Sequence, residues 1–325
     1  MEKRINWIDW AKTICMFLVI LGHTHVDNSG LFVKKIIYTF HMPLFFFLSG
    51  LLCKKIISKE SVTKDCKLIL VPYIFYGTIS IFIPYPIAPQ MILSYLHKMT
   101  IGSDSSIGAI WFLPALFICK QIGTVIICIS HRHTKLLFSL VIISFIPTYY
   151  VKYVDFPFFL SSALCGLPYY LIGFIFMKYL YIFHYLNNRI LLLLSTILSI
   201  VTILLSYTHG FVALAGHSYG DNIYLYYINA ITGILAVTCI CMQIGNKHTR
   251  FTYVSAYGNI ATIWSHGVIL SFLHYYLFRI INISITDYSI YTAIVFSTIT
   301  SICSFYIIIF LDKKCPTPFG LRGAL

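Results

Sequence analysis

Long apolar runs alternate with short polar stretches over the whole chain. A helix needs about 20 mostly apolar residues to cross a bilayer, and ten runs approach or meet that length: 7–25, 37–53, 68–84, 108–129, 136–151, 158–177, 190–207, 223–243, 256–278 and 290–311. The pattern predicts an all-α, polytopic membrane helical bundle of about ten transmembrane helices, forming one domain over residues 1–325. The first run follows Lys3 and Arg4 as a secretory leader would, but Gly22-His23-Thr24-His25 is a poor cleavage site. It is read as a span.

Composition agrees with this picture. The chain is 59% hydrophobic and only 10% charged, too few charges to coat a water-facing domain. The net charge of +13 would point to nucleic acid in a soluble protein. Here the basic residues sit between apolar runs, so they report topology and no nucleic-acid partner is assigned. Sixteen Lys and Arg fall on the side that holds both termini, against five (Lys34, Lys35, Lys98, Lys152 and Arg279) on the other. By the positive-inside rule both termini are expected in the cytoplasm. Odd-numbered spans then run outward, and the longest outer loops are 85–107 and 208–222. The ten cysteines form no CxxC pair and no Cys/His metal spacing, so neither a disulfide nor a metal is assigned.

Ionisable residues within apolar runs mark candidate chemistry, because lipid disfavours them. Lys12 and His23 are eleven residues apart, nearly three helical turns, and share one face about 16 Å apart along the axis. Each also has a bland reading, Lys12 reaching to the headgroups and His23 as an interfacial residue. His41 precedes Pro43, which suits a first helical turn, so His41 is expected at the outer mouth level with His23. His266 lies mid-span, either in catalysis or in a helix–helix hydrogen bond. Lys64 and Lys67, one turn apart in a cytoplasmic loop, put two ammonium groups on one face. Trp111-Phe112-Leu113 reads as part of an aromatic belt.

These pieces occur in an order that resembles the acyltransferase-3 family of integral-membrane O-acyltransferases, in particular its fucose 4-O-acetylase-like branch. The resemblance rests on Asp9-Trp10-Ala11-Lys12 with Leu21-Gly22-His23 (a basic-x10-His signature) and on the run from His41-Met42-Pro43 to Ser49-Gly50. It continues through Lys64-Asp65-Cys66-Lys67, Trp111-Phe112-Leu113, Leu167-Pro168-Tyr169-Tyr170 with Gly173, Gly258-Asn259 to His266, and Pro318-Phe319-Gly320. It implies a ten-helix enzyme that takes an acetyl or other short acyl group from cytoplasmic acyl-CoA, with acetyl-CoA as donor. The acceptor is a hydroxyl of a surface carbohydrate: capsule, O-antigen or a lipid-linked glycan. His23 is implied as the catalytic histidine with Lys12 as its partner, and Lys64 and Lys67 as contacts of the CoA phosphates. His41 or His266 would serve as a second hydrogen-bonding or acid group. Many relatives carry arginine where this chain has Lys12, Lys64 and Lys67, and lysine lacks the bidentate fork for phosphate. The expected setting is the bacterial inner membrane, with membrane lipid around the bundle. The rival reading, a transporter or flippase of a lipid-linked glycan, predicts two related halves, and no internal repeat is evident.

Overall fold

The computed structural model describes residues 4–54, 56–81, 89–101, 105–151, 153–154, 156–183, 186–245, 247–281 and 288–325. Lys3, Lys55 and Lys152, the end of the third predicted span (82–84) and parts of the loop 85–107 (85–88 and 102–104), predicted to be an outer one, lie outside them. In chain order the helices are α1 (Asn6–His23), α2 (Asn28–Leu51), α3 (Lys59–Asp65), α4 (Val71–Ile81), α5 (Pro89–Ile101), α6 (Phe112–Ser130), α7 (Thr134–Ile143) and α8 (Ile146–Val151). They continue with α9 (Leu160–Lys178), α10 (Leu180–Phe183), α11 (Asn188–Thr208), α12 (Ile223–Ile244), α13 (Arg250–Tyr257), α14 (Asn259–Ile281) and α15 (Ile290–Lys314). One π-helical turn, Cys66–Leu70, joins α3 to α4. A hairpin of β1 (Val212–Ala213) and β2 (Ser218–Tyr219) lies between α11 and α12.

Short polar side chains set where several long helices begin. Asp27 accepts from the Gly30 N–H (3.0 Å), Asn187 from the Ile190 N–H (2.9 Å) and Asn222 from the Tyr224 N–H (2.9 Å), each satisfying an orphan donor of the first turn. Seven stretches among the described residues are long and apolar enough to cross a membrane: Gly30–Leu51, Gly108–Ser130, Thr134–Val151, Leu160–Lys178, Asn188–Thr208, Ile223–Ile244 and Ile290–Lys314. The other three predicted spans also hold helices, α1, α4 and α14. They are less apolar or shorter: α1 carries Asp9, Lys12 and His23, and α14 carries His266 and His274. The protein is a polytopic all-α membrane bundle.

Two expectations are corrected. The second span starts nine residues earlier than its apolar run, because Asp27 caps a helix that includes Lys34 and Lys35. Pro43 is therefore inside α2 and not in its first turn, where it removes one backbone bond, a loss that packed membrane helices tolerate. Trp111, Phe112 and Leu113 are buried, at 7%, 3% and 0% exposure, and form no belt. The Phe112 ring lies 5.5 Å from that of Phe45 and 5.2 Å from that of Phe46, locking the start of α6 against α2.

Helices α2 and α9 approach backbone to backbone. A Cβ on Gly50 would run into the Tyr170 carbonyl, and one on Gly173 into the Phe47 carbonyl. Backbones approach this closely only where small residues meet. Helices α1, α6, α11 and α12 also pack on α2. Gly173→Ala is expected to destabilise the fold by about 1–3 kcal/mol through overpacking, visible as a lower thermal midpoint in detergent. Gly267→Ala, where a Cβ meets nothing within 4 Å, should leave the midpoint unchanged or raise it; equal losses at both would contradict this packing.

Candidate active site

Helix α1 connects two polar regions at its two ends. At its start, Arg4 Nε pairs with Asp9 Oδ2 at 2.5 Å, and the guanidinium lies over the Tyr253 ring at 4.1 Å. Trp10 Nε1–H donates to the Lys247 carbonyl (2.9 Å), fastening α1 to the segment before α13. Lys12, one turn further on, lies within electrostatic reach of Asp9, Arg4, Arg322 and Lys120. The helix stops at His23 because Thr24 turns extended, its N–H and hydroxyl both returning to the Ile20 carbonyl at 3.1 and 2.9 Å.

At the far end of α1, three of the proposed histidines come together. The rings of His23 and His266 lie 5.1 Å apart between centroids. His23 is exposed, whereas His266 and His41 are buried. His266 Nδ1 lies 2.9 Å from the Thr262 carbonyl, and His41 Nδ1 lies 2.8 Å from the Ile37 carbonyl. A carbonyl only accepts, so in each ring Nδ1 carries the proton and, in the neutral form, Nε2 carries the lone pair. His266 thus uses its own helix as partner, rather than a neighbouring helix. His41 reaches His23 through Tyr38, whose ring is 5.0 Å from His41 and 6.3 Å from His23. Lys12 is not part of this cluster; it belongs to the other end of α1.

The loop 208–222 closes over this region. Phe211 lies 5.0 Å from Tyr38 ring to ring, and Tyr219 contacts Cys165 Sγ at 2.8 Å, which draws the hairpin down onto α9. Tyr38 and Phe211 are site residues that sequence reasoning missed. Tyr38 sits one turn before His41, a usable signal, but Phe211 comes from a loop whose only feature was a lack of Lys and Arg.

An open pocket of about 670 Å³ has Lys59, Glu60, Lys64, Lys67, Thr317 and Arg322 among its lining residues. No residue of α1 lines it; it is linked to that helix through Arg322, whose N–H donates to Tyr257 of α13, which packs on α1. Lys64 and Lys67 are exposed into it, while Asp65 between them is buried. Asp65 turns the other way, to Lys120 Nζ at 2.5 Å and Gln121 Nε2 at 3.3 Å on α6. That ion pair fixes the segment so that both lysines project into the pocket. The π-helical turn that begins just after Asp65 carries Lys67. Glu60 is the single acid of the lining, and its own backbone N–H and Ser58 hold its carboxyl below the usual value. Four cations against one carboxylate give this lining a net positive charge.

The family model for the acyltransferase-3 acyltransferase domain matches residues 5–311. The chain belongs to this family. No curated protein and no solved structure matches it. The match includes α1 with Lys12 and His23, the lysine pair, and His266; it ends before the closing segment that carries Arg322. This acyltransferase therefore holds a histidine cluster at the C-terminal end of α1 and, apart from it, a cationic pocket between α3, the π-helical turn and the segment after α15.

The Asp65–Lys120 pair generates a prediction. Asp65→Asn should cost about 1–3 kcal/mol by stripping a charge-assisted bond from a mostly buried group. In a double-mutant cycle with Lys120→Met the two losses should be less than additive. Strict additivity in thermal or denaturant unfolding would show that the pair does not couple α3 to α6.

Proposed function

We propose that this acyltransferase moves an acetyl or other short acyl group from cytoplasmic acetyl-CoA to a hydroxyl of a surface carbohydrate, as in the fucose 4-O-acetylase-like branch. The supporting observation is the 5.1 Å approach of the His23 and His266 rings at the end of α1, in a chain that also carries the separate Lys64/Lys67 pocket. On this reading both termini and the pocket face the cytoplasm of a bacterial cell, and His23 faces outward. The donor's phosphates rest among Lys64, Lys67 and their neighbours. Its acyl arm passes Lys12 and presents the thioester to His23.

His23, exposed to the acceptor, works as general base in its neutral form. Its free ring nitrogen takes the hydroxyl proton as the acceptor oxygen bonds to the thioester carbonyl carbon. The tetrahedral oxyanion collapses, the carbon–sulfur bond breaks, and the leaving thiolate receives the proton back from His23. Products are the ester and free CoA. His266 orients this base: its Nδ1–H is committed to the Thr262 carbonyl, so its Nε2 is the acceptor that a His23 ring N–H would use once the two rings, now 5.1 Å apart between centroids, close on the bound substrate, leaving the opposite His23 nitrogen free. His41 stands behind Tyr38 and supports the cluster from α2. Lys12 carries a compensating positive charge along the path of the donor.

Two variants test these roles. His23→Ala is expected to reduce acetyl transfer from radiolabelled acetyl-CoA to background while the protein still elutes as a single folded species and binds CoA. Near-normal transfer by that variant would remove His23 from the chemistry. His266→Gln should lower kcat on the order of a hundredfold with little change in KM for acetyl-CoA; an effect confined to KM would mean that His266 does not orient the base.

A further inference from the structure

The segment after α15 is tied down by one buried carboxylate. Asp312, 3% exposed in the last turns of α15, accepts from the Tyr257 hydroxyl (2.6 Å), the Gly323 N–H (2.9 Å) and the Leu325 N–H (2.8 Å). The Tyr257 oxygen in turn accepts from the Arg322 N–H at 2.5 Å. Such a carboxylate, once saturated by donors, is costly to disturb. Gly320 (φ 71°) and Gly323 (φ 64°) bend the chain back in the left-handed region, where a side chain is strained. Leu321 between them is buried, at 3% exposure, in a small apolar cluster with Val254 and Ile308.

The folded-back segment lies against the lysine-bearing turn. Phe319 packs on Phe75 with ring centroids 5.0 Å apart, and its carbonyl accepts from the Tyr76 hydroxyl at 3.3 Å. A Cβ on Gly320 would meet the Leu68 carbonyl at 2.9 Å, one residue past Lys67. The result is that Arg322, itself exposed, lines the same pocket as Lys64 and Lys67 and acts electrostatically on Lys12. Among the described residues its guanidinium makes no ion pair. It is the one planar, five-donor cation in a lining otherwise served by lysines.

We propose that Arg322 is a direct phosphate ligand of the acyl donor, held in place by Asp312 and Tyr257, so that residues 316–325 form one wall of the donor site. This rests on the reading of the Lys64/Lys67 pocket as the donor site. Arg322 supplies the bidentate fork that Lys64 and Lys67 cannot, and Asp312 and Tyr257 are positioning residues that act through it. The ligand class is a phosphate-bearing nucleotide thioester or its free thiol.

The test is titration of CoA into the full chain purified in detergent, at two salt concentrations, with KM and kcat for acetyl-CoA measured alongside. Arg322→Gln should weaken CoA binding about tenfold or more, flatten its salt dependence, raise KM and leave kcat near normal. Arg322→Lys should recover part of the affinity. Asp312→Asn should weaken binding in the same way, and Tyr257→Phe provides the same measurement should Asp312→Asn fail to fold. A lowered thermal midpoint with unaltered affinity and salt slope in all three loss variants would reduce the segment to a structural role and overturn the proposal. Weaker binding by Lys64→Gln/Lys67→Gln together with wild-type binding by Arg322→Gln would overturn it while sparing the donor site. No CoA binding by wild type, or none lost in the double lysine variant, would overturn the donor-site reading and this inference with it.

Discussion

Lys12 at hydrocarbon depth costs about 2.5–3.5 kcal/mol if it faces lipid, and the same helix also carries Asp9 and ends in His23. Helix α1 therefore has to be surrounded by protein, and it is: α2, α12, α13, α14 and α15 all pack against it. The strongly apolar helices take the outside. Most of α11 and α15 faces outward, with side chains such as Leu204, Tyr291 and Phe310 largely exposed. This partition keeps the ionisable groups of α1 and α14 inside the bundle. The glycine contacts between α2 and α9 then fix the frame that brings Tyr38 and His41 up to His23.

The two polar regions need different physics. At the histidine end, backbone carbonyls of α14 and α2 set the tautomers of His266 and His41, and Lys34 is the cation within electrostatic reach of His23. At the pocket, charge is concentrated, and its geometry depends on two carboxylates that are not themselves in the lining. Asp65 pulls back towards Lys120 so that its neighbours Lys64 and Lys67 face the opening. Asp312 folds the closing segment so that Arg322 does the same. In both cases a buried acid, saturated by donors from another helix or from the chain's own backbone, directs exposed cations at a common space.

Much of this was legible in the sequence because hydropathy and isolated polar residues are local signals. The spans, the shared face of Lys12 and His23, and the pairing of Lys64 with Lys67 follow from spacing alone. The start of α2 was missed because the residues before its apolar run, with two lysines among them, look like a loop until Asp27 is seen capping a helix. The Trp111 segment looked like a belt because aromatic residues at a span end are ambiguous between interface and core. The approach of His23 to His266, the Asp65–Lys120 pair and the Tyr257–Asp312 bond join residues 55 to 243 positions apart in the chain. No periodicity encodes such contacts, and only the packing of α1 between α2 and α14 brings the first of them about.

The central claim is that the donor enters at the Lys64/Lys67 pocket and the acyl group leaves at the histidine end of α1, on the other side of the membrane. Sealed vesicles of the two orientations, given membrane-impermeant radiolabelled acetyl-CoA from outside only, test this most directly. The account predicts label on the carbohydrate inside inverted vesicles, where the pocket faces the added donor, and none with right-side-out vesicles. Label appearing in right-side-out vesicles, or equally in both, would contradict it.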